Sequence, residues 1–376
     1  MRENKINIVI SAVNIIEGGA LAILRECLES LSRWCNDSLN IIAIVHDKKL
    51  CKFDNIEYIE IPWAKRNWLN RLYCEYHYLK KLDHKIKSDI WLSLHDTTPN
   101  IKARTRAVYC HNPSPFYKPK LSDIKYSLKE YLFSKFYKYL YQINIQKNTF
   151  VIVQQEWLRN EFSKLFKINV NNIIVAPPKQ NSQITQVLKD NKPNSNIKVF
   201  FYPAYPRTFK NFEDICEACK VLSSRGEHNY RVILTIDGSE NKYARDIVNK
   251  YSHIKEISFQ GLLKPKQVFD IYSKTDCLLF PSKLETWGLP ISEFIQFKKP
   301  MIIAELPYAH ETSNGAQQVA FYEVSASQQL ANLMFSVIND NLTAFVPNVQ
   351  QKLQPPTAVN WEEVFSLLLE NYNQIS

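Results

Sequence analysis

Residues 277–294, CLLFPSKLETWGLPISEF, contain the three parts of a β-strand–loop–α-helix unit. The first four residues, CLLF, form a continuous apolar run, which is typical of a strand buried on both faces of a parallel sheet. Pro290 suits the first turn of a helix, where the N–H group that proline lacks would have no partner. Gly288 lies between strand and helix, and open α/β sheets bind ligands beyond the carboxyl ends of their strands. The stretch therefore predicts a ligand-binding loop in a parallel α/β fold.

The same alternation of apolar runs and helical patterns continues on both sides of a polar stretch, residues 179–196. Runs such as INIVISAV (6–13) and DIWLSL (89–94) precede this stretch, and the pattern restarts with IKVFFYPA at 197–204. Two doubly wound domains fit this pattern better than one large sheet. We predict Rossmann-like domains at 1–190 and 197–356, with a C-terminal helix in 357–376 that packs back on the first.

Composition limits the classes of function but does not select one. The formal charge of +10 is compatible with nucleic acid, anionic lipid or a polyanionic ligand. No run of about 18 apolar residues occurs, so no transmembrane helix is expected. The eight cysteines fall mostly within apolar segments, which indicates reduced core thiols. Cys216 and Cys219 form a lone CxxC in a helical pattern; we interpret it as core, with a redox or zinc role as the alternative.

Charged residues follow the predicted strands of the second domain. Arg207 and Lys210 come shortly after the apolar run at 197–204, where two fixed cations could neutralise a diphosphate. Glu285 and Glu293 flank the loop around Gly288, and Glu293 could accept hydrogen bonds from a vicinal diol such as ribose. The alternative is a set of solvated surface charges. A ligand that carries a diol, a diphosphate and a sugar would account for all four residues.

The strand ends of the first domain carry a second set of candidates. Gly18 and Gly19 separate the first strand from the first helix, where the backbone can approach a ligand. They are not part of a GxGxxG motif, which disfavours a nicotinamide cofactor. His95, Asp96 and His111 follow two further strands. Structural histidines are the alternative, but two at the same edge of one sheet favour a site.

These motifs together resemble the retaining glycosyltransferases of family four, which have the GT-B fold of two Rossmann-like domains facing a central cleft. Glu285 and Glu293 stand in that family's Glu-x7-Glu arrangement, within FPSKLETWGLPISEFIQFKKP. The resemblance extends over nearly the whole chain, through FQGLLKPKQVFDIYSKTDCLLFPS to the terminal helix with Trp361. Trp287 stands where the family commonly has Phe, which keeps an aromatic ring. The long combined run is specific, whereas a bare Glu-x7-Glu would not be.

The resemblance implies a role for each matching residue. It places Glu293 on the nucleotide ribose and Glu285 beside the donor sugar. It implies a catalytic set and two binding sets. The catalytic set is His111, Glu285, Arg207 and Lys210; the donor set is Gly18, Gly19, Gly261, Leu262, Gly288, Leu289 and Glu293; the acceptor set is His95 and Asp96.

The function implied is a retaining, hexosyltransferase-type enzyme that moves a sugar from a nucleotide-diphosphate donor to a glycan acceptor. The composition resembles enzymes of bacterial O-antigen, capsule or exopolysaccharide synthesis, in which the acceptor is linked to a polyprenyl diphosphate. No Asp-x-Asp occurs, so no metal or other cofactor is expected. The alternatives are a GT-B enzyme of another class, such as a nucleotide-sugar epimerase or an inverting transferase, and a non-catalytic module that binds glycan.

The segment 117–147 interleaves seven lysines with aromatic residues and has only two acidic residues. Such a basic aromatic helix is suited to an anionic membrane surface. We therefore expect a cytoplasmic protein that is peripheral at the inner membrane face. A helix packed on the first sheet with an exposed basic face is the alternative. Binding of single-stranded nucleic acid is a third possibility, disfavoured because no nucleic-acid motif is present.

Overall fold

The computed structural model describes residues 5–34, 36–178, 197–349 and 352–375. By its contacts the chain divides into two compact units. Unit 1 holds Met1–Pro119, Glu130–Lys179 and Leu353–Ser376, and unit 2 holds Lys120–Lys129 and Gln180–Lys352. The boundary predicted between 190 and 197 falls mainly among residues outside the described part.

Unit 1 is built on a seven-stranded parallel sheet. Its interior strand β1 is fully buried at Ile8, Val9 and Ile10, as expected where helices cover both faces. The strands are β1 (Ile6–Ala12), β2 (Leu39–Val45), β3 (Glu57–Glu60), β4 (Ile90–Ser93), β5 (Thr105–Tyr109), β6 (Phe150–Val153) and β7 (Ile173–Val175). Their order in the sheet is β3-β2-β1-β4-β5-β6-β7.

The first helix of unit 1 buries one apolar stripe. In α1 (Gly18–Trp34), Leu21, Leu24, Leu28 and Leu31 recur at helical spacing and are all buried. The other helices are α2 (Trp68–Tyr73), α3 (Leu79–Ile86), α4 (Leu128–Gln142), α5 (Glu156–Phe166) and the C-terminal helix Trp361–Ile375. The C-terminal helix packs on α1, where the rings of Trp34 and Phe365 stack at 6.1 Å.

Residues 120–129 belong to unit 2 although unit 1 surrounds them in the sequence. The Lys125 Nζ atom lies 3.2 Å from a carboxylate oxygen of Asp246, and the Tyr126 ring packs edge-on against Tyr243 at 5.2 Å. The segment expected to form one basic aromatic helix over 117–147 is therefore divided. A 3₁₀ turn covers Leu121–Lys125, and helix α4 runs from Leu128 to Gln142.

Unit 2 contains a six-stranded parallel sheet. Its strands are β8 (Lys198–Tyr202), β9 (Tyr230–Leu234), β10 (Ile257–Phe259), β11 (Cys277–Phe280), β12 (Met301–Ala304) and β13 (Val319–Tyr322), in the order β10-β9-β8-β11-β12-β13. Its helices are α6 (Phe212–Ser224), α7 (Lys242–Tyr251), α8 (Pro265–Lys274), α9 (Leu289–Phe294), α10 (Pro307–Thr312) and α11 (Ser327–Ile338). We number the C-terminal helix α12.

Each sheet has one switch point, where the chain reverses its direction of progress across the sheet. In unit 1 this point lies between β1 and β4, and in unit 2 between β8 and β11. In doubly wound folds, ligands bind outside the carboxyl ends of the strands at such a point. The loops that follow β8 and β11 carry the charged residues selected from the sequence.

Candidate functional site

The loop after β11 turns into α9 at Gly288, as the sequence pattern indicates. Gly288 caps this helix with a φ of +89°, a region that residues with a Cβ rarely occupy. A Cβ there would also meet the side chain of Ile291 at 3.4 Å and the Phe280 ring at 3.6 Å. Leu289 and Pro290 form the first turn of α9. Gly288 is buried, so the turn has little room for a side chain at this position.

Glu293 lies in α9 and is half-buried. Its Oε2 accepts a hydrogen bond of 3.0 Å from the hydroxyl of Tyr272, a fully buried residue of α8. Burial raises the pKa of Glu293, and the Tyr272 hydroxyl offsets part of that rise. Tyr272 was not selected from the sequence. Glu293 is thus oriented by a donor that carries no opposite charge.

Lys210 and Glu285 form an ion pair across the switch point of unit 2. Lys210 ends the turn after β8, and Glu285 lies in the loop after β11. The ammonium group also lies 5.7 Å from the centroid of the Phe209 ring, within the range of a cation–π contact. Arg207 is exposed, with its guanidinium 6.0 Å from the same ring. The two cations predicted for a diphosphate therefore lie beside one aromatic side chain.

Gly261 and Leu262 follow β10 and border a loop of acidic residues. Gly261 has a φ of +69°, and a Cβ at this position would lie 2.6 Å from a carboxylate oxygen of Asp237. The Glu240 carboxylate accepts hydrogen bonds from the N–H groups of Asp237 and Gly238, each of 3.0 Å. Leu262 is exposed. The loop after β9 is thus closed on itself and packs on the Gly261 backbone.

At the switch point of unit 1, the N-terminus of α1 is open. Gly18 has a φ of +68°, and no atom lies within 4 Å of a Cβ built on Gly18 or Gly19. The first turn of α1 contains no acidic residue, so its N–H groups keep the partial positive charge of a helix N-terminus. This geometry is compatible with an anion or a polar hydroxyl near the two glycines.

His95 and Asp96 follow β4 but are buried, with 1% and 6% of their surface exposed. The His95 Nε2 atom lies 2.7 Å from a carboxylate oxygen of Glu75, which sits on a π-helical turn, Cys74–Tyr78. Burial alone would raise the pKa of Glu75, but His95 and Arg71 lower it below its usual value. Glu75 was missed because a single acid within a helical pattern gives no sign that it is buried.

His111 follows β5, and 23% of its side chain is exposed. Its Nδ1 atom lies 3.6 Å from a carboxylate oxygen of Asp96, and its ring lies 6.3 Å from the Tyr109 ring. The structure therefore brings Asp96 and His111 together and directs His95 to Glu75. Among the described residues, no group of three or more His, Cys, Asp or Glu side chains could hold a metal ion. Cys216 and Cys219 are both fully buried on α6.

Comparison with known proteins agrees with this geometry. Residues 182–353 match the family model of glycosyl transferases group 1. The matched residues make up most of unit 2. The match includes the Glu285–Glu293 loop and the turn with Arg207 and Lys210. The predicted resemblance to group 1 glycosyltransferases is confirmed over these residues.

A curated relative and two solved structures extend the comparison. O-antigen chain mannosyltransferase RfbU of Salmonella typhimurium is 22% identical over 233 residues, which are 60% of this chain and 59% of that protein. The chain thus spans less than two thirds of the curated relative that it matches. A glycosyltransferase from Rickettsia africae ESF-5 has a TM-score of 0.62 at 16% identity over 99% of both chains. HepE from Anabaena, solved with UDP-glucose, has a TM-score of 0.58 at 16% identity over 98% of both. The predicted GT-B fold is confirmed.

Proposed function

We propose that this protein transfers a sugar from a nucleotide-diphosphate sugar to a glycan acceptor in bacterial surface-polysaccharide synthesis. The observation that carries the proposal is the arrangement at the switch point of unit 2. There, the Lys210–Glu285 pair and exposed Arg207 lie in the loops after β8 and β11, and Glu293 lies on the helix that follows. The group 1 family match and the names of the similar proteins support the same class of reaction.

We assign the donor as follows. Glu293 accepts hydrogen bonds from the ribose hydroxyls, while Arg207 and Lys210 bind the diphosphate. Gly288 and Leu289 face the diphosphate and sugar with backbone N–H groups, and the remaining donor contacts are those of Gly18, Gly19, Gly261 and Leu262. The HepE structure with UDP-glucose supports a nucleotide sugar as the class of donor.

We further propose that transfer retains the anomeric configuration and needs no metal. The acceptor oxygen forms a bond to the anomeric carbon on the face from which the diphosphate leaves, and the leaving phosphate takes the acceptor proton. Lys210 and Arg207 stabilise the charge that develops on the diphosphate. Glu285 is paired with Lys210, which suits an electrostatic role better than that of a covalent nucleophile. His111 contacts the transferred sugar.

A screen for donor binding tests the class of substrate. UDP, GDP and ADP sugars are compared for their ability to raise the melting temperature, and those that do are assayed for release of the nucleoside diphosphate. Lys210→Ala and Glu293→Ala should abolish transfer with an unchanged circular dichroism spectrum. Lys220→Ala, an exposed lysine of α6, is the matched control. Near-normal turnover in both Lys210→Ala and Glu293→Ala would refute the proposal.

The product separates the enzyme classes. NMR of the glycosidic bond gives its anomeric configuration, and an inverted product would exclude retention. Conversion of one free nucleotide sugar into another without acceptor would indicate an epimerase. Loss of turnover in EDTA that is restored by added Mg²⁺ or Mn²⁺ would contradict the metal-independent mechanism.

We also propose that α4 docks on an anionic membrane, where a polyprenyl-linked acceptor is held. Its large apolar side chains Leu132, Phe136 and Tyr139 are exposed, and Lys135 and Lys138 lie among them. Such a surface matches acidic head groups by charge and the interfacial region by its apolar rings. Among the described residues, no helix is long and apolar enough to cross a bilayer.

Sedimentation with liposomes tests this surface. We expect binding to phosphatidylglycerol vesicles that is weak on phosphatidylcholine and lost when Lys129, Lys135 and Lys138 become Glu. The control is Glu at Lys80, Lys81 and Lys85, three exposed lysines of α3 in unit 1. Equal loss in both triple variants would indicate a general effect of net charge, and no binding at moderate salt would exclude the membrane.

A further inference from the structure

The Asp96 carboxylate is a buried anion at the end of β4 that is enclosed by hydrogen-bond donors. Its Oδ1 accepts hydrogen bonds from the N–H groups of His111 (2.8 Å) and Asn112 (3.2 Å) and from the hydroxyl of Tyr141 (2.7 Å). Its Oδ2 accepts one from the hydroxyl of Tyr137 (3.1 Å). A buried carboxylate is stable only when it is satisfied in this way. Asp96 therefore ties the start of the loop after β5 to α4.

The two tyrosines that donate to Asp96 both lie on α4. Tyr137 and Tyr141 are four residues apart on α4, so both hydroxyls lie on the same face of the helix. Burial raises the pKa of each phenol, and the charge on Asp96 raises it further. Both phenols thus remain protonated donors at any pH at which the protein is used. The orientation of the Asp96 carboxylate is consequently constant.

The backbone at His95 and Asp96, where β4 ends, is also held by contacts from the segment that contains Arg71 and Glu75. Asp96 has a φ of +69°, in the left-handed region that Asp enters more readily than most residues with a Cβ. The carbonyl of the preceding His95 accepts a hydrogen bond of 3.0 Å from Arg71, and the His95 ring contacts Glu75. Because contacts from both neighbouring elements fix the turn, it needs no substrate to order it.

We infer that Asp96 is a positioning residue that acts on sugar transfer through His111. The carboxylate fixes the backbone of His111 by a hydrogen bond and acts on its ring by charge, since the 3.6 Å distance to Nδ1 exceeds that of a hydrogen bond. With a negative charge beside Nδ1, the neutral imidazole carries its proton there. The Nε2 lone pair is then left to accept a hydrogen bond from a sugar hydroxyl. This role replaces the acceptor contact that the sequence suggested for Asp96.

The catalytic part of the inference rests on the proposed function, so it needs one readout that does not depend on turnover. Nitrogen-15 NMR of histidine-labelled protein at pH 8.5 reports which ring nitrogen of His111 carries the proton. The His111 signals are assigned by their loss in His111→Gln. We expect the Nδ1–H tautomer in the wild type and a shift toward Nε2–H in Asp96→Asn. Tyr141→Phe, which keeps the charge, should leave the tautomer unchanged.

A double-mutant cycle tests whether Asp96 affects catalysis through His111. Transfer is measured with whichever of UDP-glucose, UDP-galactose and GDP-mannose is turned over. Asp96→Asn should lower kcat about tenfold or more, with the donor KM within about twofold. In a His111→Ala background, Asp96→Asn should change kcat by less than about twofold, because the group through which it acts is gone.

Two results would overturn the inference. One is an unchanged His111 tautomer in Asp96→Asn, and the other is a full additional loss of kcat from Asp96→Asn in the His111→Ala background. If Asp96→Asn does not fold, the tautomer of the wild type decides the inference, and an Nε2–H tautomer of His111 in the wild type would overturn it. If no nucleotide sugar is turned over, the proposed function fails and the tautomer still decides the local role of Asp96.

Discussion

Glu293 is a half-buried carboxylate, and its replacement by Gln is expected to have opposite effects on stability and on ligand binding. Gln keeps the size of the side chain and retains an oxygen that can accept the hydrogen bond from Tyr272. It removes the negative charge, whose burial raises the pKa of Glu293 in the folded protein. We expect a protein with a higher melting temperature and a weaker affinity for nucleotides.

The loss of affinity can be worked out from the hydrogen bonds. The Tyr272 hydroxyl uses one acceptor position on Oε2, which leaves room for the two hydroxyls of a ribose. A hydrogen bond to a charged group contributes about 1.5–3 kcal/mol, against about 0.5–1.5 kcal/mol between neutral groups. Two hydrogen bonds to a neutral amide instead of a carboxylate are weaker by about 2 kcal/mol together, which corresponds to a roughly 30-fold higher Kd.

The gain in stability depends on pH in a defined direction. A carboxyl whose folded pKa lies above the reference value of 4.5 favours the folded state when protonated and opposes it when charged. The advantage of Glu293→Gln is therefore small below that reference value and grows as pH rises through the folded pKa. At neutral pH we therefore expect a higher melting temperature for Glu293→Gln than for the wild type.

Titration calorimetry with UDP and GDP measures the affinity, and differential scanning calorimetry from pH 4 to pH 8 measures the stability. The preference for a nucleotide over its 2′-deoxy form should fall in Glu293→Gln, because the 2′-hydroxyl then binds a neutral amide instead of a carboxylate. Glu227→Gln is the matched control: its carboxylate accepts from the backbone N–H of Asn229 in the loop before β9, and Gln keeps that acceptor. Unchanged affinity would remove Glu293 from the ribose site, and a lower melting temperature at neutral pH would refute the burial argument.

Three further substitutions have defined outcomes. Glu285→Gln should lower kcat about 100-fold or more and leave thermal stabilisation by nucleoside diphosphate in place, because Lys210 stays available to the phosphates; lost stabilisation would contradict this. Gly261→Ala should lower the melting temperature of unit 2 by several degrees, since a φ of +69° costs a residue with a Cβ about 1–2 kcal/mol and Asp237 must also move. Phe365→Ala should destabilise unit 1 by about 3–5 kcal/mol in urea unfolding, because the ring is 1% exposed and truncation leaves a cavity.

The fold was predictable because its signals are local. Strands such as β1 and β8 are buried on both faces, so each reads as a short apolar run rather than as an alternating pattern. The Glu285–Glu293 loop was predictable for the same reason, since strand, glycine, proline and acids are all within one stretch. A site made of contiguous residues leaves its pattern in the sequence.

The residues that hold the site residues in place left no such pattern in the sequence. Tyr272 reaches Glu293 only because α8 and α9 pack together, and the two residues are 21 positions apart. Tyr141 was part of an aromatic segment that suggested a surface, yet its hydroxyl is buried on Asp96, 45 positions away. Residues 120–129 contain no periodic signal that would assign them to unit 2. Contacts that depend on tertiary packing therefore had to be read from the structure.

Glu293 and Asp96 are oriented in the same way, which explains why the tyrosines that contact them matter to the chemistry. Each carboxylate is held by tyrosine hydroxyls, and neutral donors orient an anion without cancelling its charge. In the proposed function, the charge acts on a ribose in one case and on an imidazole in the other. Lys210 and Glu285 follow the opposite rule, because their charges cancel within the pair. A diphosphate that binds Lys210 has to share it with Glu285, so the pair weakens as negative charge builds up on the leaving group. Interactions that strengthen as charge develops lower the barrier rather than only binding the donor. Ground-state affinity should therefore depend mainly on Glu293, and turnover mainly on the Lys210–Glu285 pair.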